Sequence, residues 1–153
     1  MIIIGYQGIG KSTLSNNDLR FVDLESGNFW VDGKRADDWY KPYCQIADHL
    51  SKQGYFVFTS SHEVVRNQLA NSEERVICCA PSLSLKDQWI NKLKERYETS
   101  GLDKDYRAYM NAEDRYTENI TEIANSGFEV LWIESIDYDL CDEILEYLIE
   151  NIK

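Results

Sequence analysis

Gly5-Tyr6-Gln7-Gly8-Ile9-Gly10-Lys11-Ser12 follows directly on the apolar run Ile2-Ile3-Ile4. The octet satisfies G-x-x-x-x-G-K-[ST], and it stands where that pattern acts, after a short strand and at the opening of a helix. Its glycines let successive backbone N–H groups converge on phosphate oxygens, and the N-terminus of the following helix adds positive potential. Lys11 suits the outer phosphates of a nucleoside triphosphate, and the Ser12 hydroxyl suits the Mg2+ that accompanies them. The candidate nucleotide-binding residues are Gly5, Gln7, Gly8, Ile9, Gly10, Lys11, Ser12 and Thr13, with ATP as substrate and Mg2+ as cofactor.

Outward from this octet, short apolar strands alternate with helical periodicities. Residues 21–24, 55–59, 75–80 and 130–133 are β-rich runs closed by turn residues such as Pro81. Trp39, Tyr43, Ile46 and Leu50 fall on one helical face, with Gly54 at its end, and residues 62–69 predict a short helix. Ser84 and Asp87 have capping-box spacing before Leu85, Trp89, Leu93 and Tyr97. Helical spacing returns at Tyr109, Ala112, Tyr116, Ile120 and Ile123, and again at Leu140, Ile144, Leu148 and Ile152. Parallel neighbours need crossovers, and the crossovers here are helical, so the expected class is α/β: one domain over residues 1–153, with a five-stranded parallel sheet flanked by helices.

Composition narrows the function. At 43% apolar and 28% charged residues, the 153-residue chain reads as globular. It carries no apolar run of the roughly 20 residues a membrane helix needs, and no basic-flanked leader, so a cytoplasmic chain without membrane partners is expected. The net charge of -11 is concentrated in residues 134–150, which hold no Lys or Arg, and it disfavours nucleic-acid binding. Cys44, Cys78, Cys79 and Cys141 form no CxxC pair and read as reduced thiols. A GTPase would want N-K-x-D, which Asn91-Lys92-Leu93-Lys94 fails, and Leu131-Trp132-Ile133-Glu134 only half matches the apolar strand ending in Asp-Glu of helicase-type ATPases.

The order of features resembles P-loop kinases of small molecules and nucleotides, with shikimate and gluconate kinases nearest in layout. It is also similar to nucleoside monophosphate kinases and to nucleotide-kinase-like phage proteins. The resemblance implies a three-layer P-loop NTPase fold. Phe21-Val22-Asp23-Leu24-Glu25 stands where such kinases carry an acidic element, which implies catalytic roles for Asp23 and Glu25 beside Lys11, and Ser12 with Asp23 as metal ligands. Leu93-Lys94-Glu95-Arg96-Tyr97 resembles their lid, which implies a lid-like segment around 92–107 with Arg96 at the phosphates, and Arg115-Tyr116-Thr117-Glu118 resembles the stretch after it, with Arg115 meeting substrate. The short interval between Ser12 and Phe21 and the run Thr59-Ser60-Ser61-His62, in place of a glycine run, depart from the family.

The expected function is transfer of the γ-phosphoryl group of ATP to a small acceptor, first a (deoxy)nucleoside monophosphate. The alternatives are a non-kinase P-loop ATPase or nucleotide-binding regulator, and a kinase of a modified nucleobase or hydroxylated metabolite. The partner is then a small molecule, and the oligomeric state is open. Trp30, Trp39, Tyr40 and Tyr43 read as core before they read as a base-stacking set, and His62 as a surface or cap residue before a substrate ligand.

Overall fold

The computed structural model describes residues 1–152. Along the chain run β1 (Ile2–Gly5), α1 (Lys11–Asn17), β2 (Phe21–Asp23), α2 (Tyr40–Lys52), β3 (Phe56–Thr59), α3 (Glu63–Leu69), β4 (Val76–Pro81), α4 (Lys86–Ser100), α5 (Asp103–Ala124), β5 (Glu129–Ile133) and α6 (Leu140–Glu150). Short 3-10 turns lie at Ser26–Phe29 and Leu83–Leu85. The strands form one five-stranded parallel sheet in the order β2-β3-β1-β4-β5, flanked by helices, so the α/β expectation holds. Successive strand residues point to opposite faces, yet Ile2, Ile3 and Ile4 are all fully buried. Both faces of β1 are therefore covered, which explains why it reads as a continuous apolar run and not as an alternation.

The chain groups into two compact units, Met1–Tyr6 with Gly10–Cys78, and Gln7–Ile9 with Cys79–Lys153. In the first unit β1 and β2 each pair in parallel with β3, in the register Ile4↔Thr59 and Asp23↔Phe58. Phe21 stacks on Phe56 and Phe58 at 4.9 and 5.6 Å between centroids. Helix α2 buries Tyr43, Cys44, Ala47 and Ser51, one step round from the expected stripe, and leaves Ile46 exposed. The buried face includes a polar residue: the Ser51 hydroxyl accepts from the Met1 ammonium at 2.5 Å and donates to Glu74 at 2.6 Å, so a serine is satisfied inside. Trp39 and Tyr43 belong to the core, whereas Trp30 is exposed.

In the second unit the expected capping box is absent. A 3-10 turn precedes α4, its N-cap is Leu85, and the Ser84 hydroxyl pairs with that of Ser82 at 2.8 Å. Residues 99–107, inside the expected lid-like segment, are the last turn of α4, a tight turn and the first turn of α5. Gly101 ends α4 with φ of 63° and donates its N–H to Tyr97 O at 2.8 Å, a left-handed cap that glycine adopts without strain. Asp105, only 5% exposed, accepts from Ser100 Oγ at 2.5 Å and pairs with Arg96 at 3.1 Å. Helix α5 is kinked at Arg115, whose φ is -136°.

Candidate functional site

The octet forms a strand–loop–helix unit: β1 ends at Gly5, the loop runs through Gly10, and α1 starts at Lys11. Gly8 and Gly10 have φ of 86° and 106°, conformations that side-chain-bearing residues rarely hold. At Gly8 space is short as well, since a Cβ would lie 2.8 Å from Leu93 Cδ2 and 3.3 Å from Trp89 Nε1. Lys11 Nζ donates to Gly5 O at 3.0 Å and so closes the loop on itself. The first N–H groups of α1 have no partner within their helix, as at any helix start.

Three loop carbonyls accept from side chains. Besides Gly5 O, Gln7 O takes Trp89 Nε1–H at 3.0 Å and Ile9 O takes the Tyr138 hydroxyl at 2.7 Å. The Gln7 side chain donates to Ala108 O and Asn111 Oδ1, both at 3.1 Å, so Gln7 is anchored by side chain and main chain together. Lys92 Nζ donates to Tyr138 Oη at 3.1 Å and lies 4.2 Å from the centroid of the Trp89 ring. Burial, and then the charge of Arg96, lower the Lys92 ammonium to about 8.

Of the expected acidic residues, Asp23 closes β2 and Glu25 precedes the turn at Ser26–Phe29. Asp23 stands level with Phe58, and β3 lies between β2 and β1, so Asp23 sits ~10 Å to the side of β1 at the strand spacing of ~4.8 Å. The β2 and β3 ends are joined by Tyr43, whose hydroxyl donates to Leu24 O at 2.6 Å and accepts from Ser60 N–H at 2.9 Å. Burial drives its phenol far above the ordinary value.

Past the end of β3, His62 Nδ1 is 2.7 Å from Ser60 Oγ, and its ring meets Trp39 edge-on at 5.4 Å. The Arg35 guanidinium lies 4.1 Å from the Trp39 centroid and 5.0 Å from that of Trp30. Desolvation of the ring beside Trp39, and then the charges of Arg35 and Lys11, hold the His62 imidazole at about 4, so it is neutral at neutral pH, although the residue as a whole is exposed.

The two arginines expected near the phosphates have carboxylate partners instead. Arg96 is on Asp105, and exposed Arg115 is 3.7 Å from Glu122. Trp89, Tyr138 and Arg35 were not foreseen at the site. Trp89 and Tyr138 lie 82 and 129 residues from the carbonyls they hold, and Trp89 fits a helical core stripe so well that nothing local separates the two roles. Among the described residues, no cluster of three or more His, Cys, Asp or Glu could hold a metal ion, and no helix is long and apolar enough to cross a membrane.

No family model matches the chain. It is 29% identical over 102 residues to an ATP-dependent lipid A-core flippase of Aliivibrio fischeri, covering 63% of this chain and 17% of the relative. A flippase of the same name from Polaromonas is 36% identical over 67 residues, covering 44% of this chain and 10% of the relative. ABC transporter B family member 24, mitochondrial, from Arabidopsis thaliana is 28% identical over 100 residues, covering 64% and 15%. The chain thus spans 10–17% of the length of these relatives.

This likeness supports the P-loop, ATP-linked class, and it does not support a kinase or a phage-type subfamily, since these relatives are a transporter and two flippases. It also corrects the partner expectation. A chain serving a small-molecule acceptor with no membrane partner is at odds with relatives that are all membrane-transport proteins by name.

Proposed function

We propose that the chain is a P-loop ATPase domain that binds ATP-Mg2+ through residues 5–13 and acts on a partner, not on a small acceptor. The observation that carries the reading is the octet folded as strand, loop and helix, with both inner glycines at positive φ. In hydrolysis, a water oxygen bonds to the γ-phosphorus, the bond from that phosphorus to the β–γ bridging oxygen breaks with its electron pair leaving on ADP, and the proton of water is released with phosphate. Lys11 supplies positive charge to the outer phosphates as charge shifts toward ADP.

Mg2+ usually takes one or two protein oxygens and leaves its other positions to phosphate and water. Ser12 and Asp23 carry hard oxygens of the kind that would hold it. When bound, the ion would neutralise charge shared by the β and γ phosphates. β1 lies between β3, which is followed by Ser60-Ser61-His62, and β4, which ends at Pro81.

The test is ATP-dependent stabilisation. At ATP one hundred times Kd the free-energy gain is about 2.7 kcal/mol, a rise in melting temperature of about 5–10 °C for a chain of this size. Lys11→Ala should fold and lose most of that rise. An equal rise in the variant, or none in the wild type, overturns the reading; ADP release that requires an added acceptor would return the kinase.

A further inference from the structure

The geometry points to Trp89, Tyr138 and Lys92 as a positioning clamp that turns the loop's amide groups toward phosphate, an assignment that rests on the phosphate-loop reading. A trans peptide is planar, and its C=O and N–H point in opposite directions. The Gln7 carbonyl is drawn to Trp89 Nε1 at 3.0 Å, which turns the Gly8 N–H away from the Trp89 ring. The Ile9 carbonyl is drawn to the Tyr138 hydroxyl at 2.7 Å, which turns the Gly10 N–H away from Tyr138. Two held carbonyls thus set the direction of two N–H groups in a loop that otherwise has free glycine dihedrals.

The clamp is itself braced. Trp89 is fully buried, and its ring stacks on that of Tyr138 at 6.1 Å and 17°. Lys92 Nζ donates to the Tyr138 oxygen at 3.1 Å, so the phenol's proton is directed to Ile9 O, and the same ammonium lies over both rings at 4.2 and 5.0 Å. A hydroxyl that accepts from a cation is a stronger donor to its own acceptor. Lys92, expected to close over phosphates as part of a lid, works in this arrangement one residue removed from them, through Tyr138. Leu93 and Trp89 also wall Gly8 in, so the 7–8 peptide has little room to flip.

The decisive measurement compares binding of ATP and of inorganic tripolyphosphate to the full chain by calorimetry, beside the melting temperature of each ligand-free protein. Tyr138→Phe keeps the ring and removes the hydroxyl. It should weaken both ligands about five- to tenfold, the worth of one hydrogen bond, with a melting temperature within about 3 °C of wild type. Lys92→Met should weaken both ligands, and Lys92→Arg should recover most of the loss. A merely structural role would lower melting temperature and leave affinity alone. If the wild type binds neither ligand, the phosphate-loop reading fails. If the wild type binds and Tyr138→Phe and Lys92→Met bind equally well, the clamp is overturned. Should Tyr138→Phe not fold, the two Lys92 variants decide alone.

Discussion

Replacing Gly8 with alanine perturbs the loop at the point where backbone conformation and packing coincide. With φ of 86°, the position makes any L side chain bear the left-handed cost, roughly 1–2 kcal/mol. The new Cβ would also meet Leu93 Cδ2 at 2.8 Å and Trp89 Nε1 at 3.3 Å, and both partners are buried side chains of α4. Overpacking of that kind costs roughly 1–3 kcal/mol. The sum, about 2–5 kcal/mol, corresponds to a fall in melting temperature of about 4–20 °C. Gly54→Ala is the matched control, because Gly54 has φ of 96° and nothing within 4 Å of its Cβ position. It should lose only the left-handed share, about 2–8 °C. Thermal melts of both variants, with and without ATP, separate the two terms. Where the loop yields and α4 does not, Gly8→Ala melts closer to the control but loses its response to ATP, since the Gln7 carbonyl then leaves Trp89. Equal melting temperatures together with equal ATP responses in the two variants would refute the argument.

Two further outcomes follow from the same structure. Arg96→Ala leaves the nearly buried Asp105 with Ser100 as a remaining partner, and should destabilise the chain by about 1–3 kcal/mol without weakening ATP binding; loss of ATP affinity at unchanged stability would restore Arg96 to the phosphates. His62 is held at about 4 against the ordinary 6.5, so the unfolded chain takes up a proton that the folded one refuses in this window, and stability falls as pH drops from 6.5 through 4. Urea titrations at pH 7 and pH 5 should show His62→Gln losing less on acidification than wild type, and a ring midpoint at or above 6.5 by NMR would contradict the assignment.

Much of the architecture was legible because its signals are local. Each of the five strands is a short apolar or β-rich run ended by glycine, proline or polar residues, and each was placed within a residue or two. The brevity of α1, seven residues, followed from the interval between Ser12 and Phe21. The phosphate-loop octet is contiguous, so its pattern and its place after β1 could be read without any knowledge of the fold.

Tertiary structure decided what depends on distant partners. The periodicity of α2 gave a stripe through Ile46, but the helix buries Ala47 and Ser51 instead, and hydropathy has no term for a polar group satisfied from more than 20 residues away. Arg96 read as a lid cation, and its pairing with Asp105 across the tight turn at Gly101 has no local signature in the sequence. Trp89 and Tyr138 carry no motif at all, and only closure of the chain over 82 and 129 residues brings their donors to Gln7 and Ile9. The sequence by itself determined that a glycine-rich strand–loop–helix unit would form at residues 5–12, since that information is short-range. The orientation of its peptide planes was settled by the fold, because hydrogen bonds to a carbonyl depend on where side chains are in space and not on where they stand in the chain.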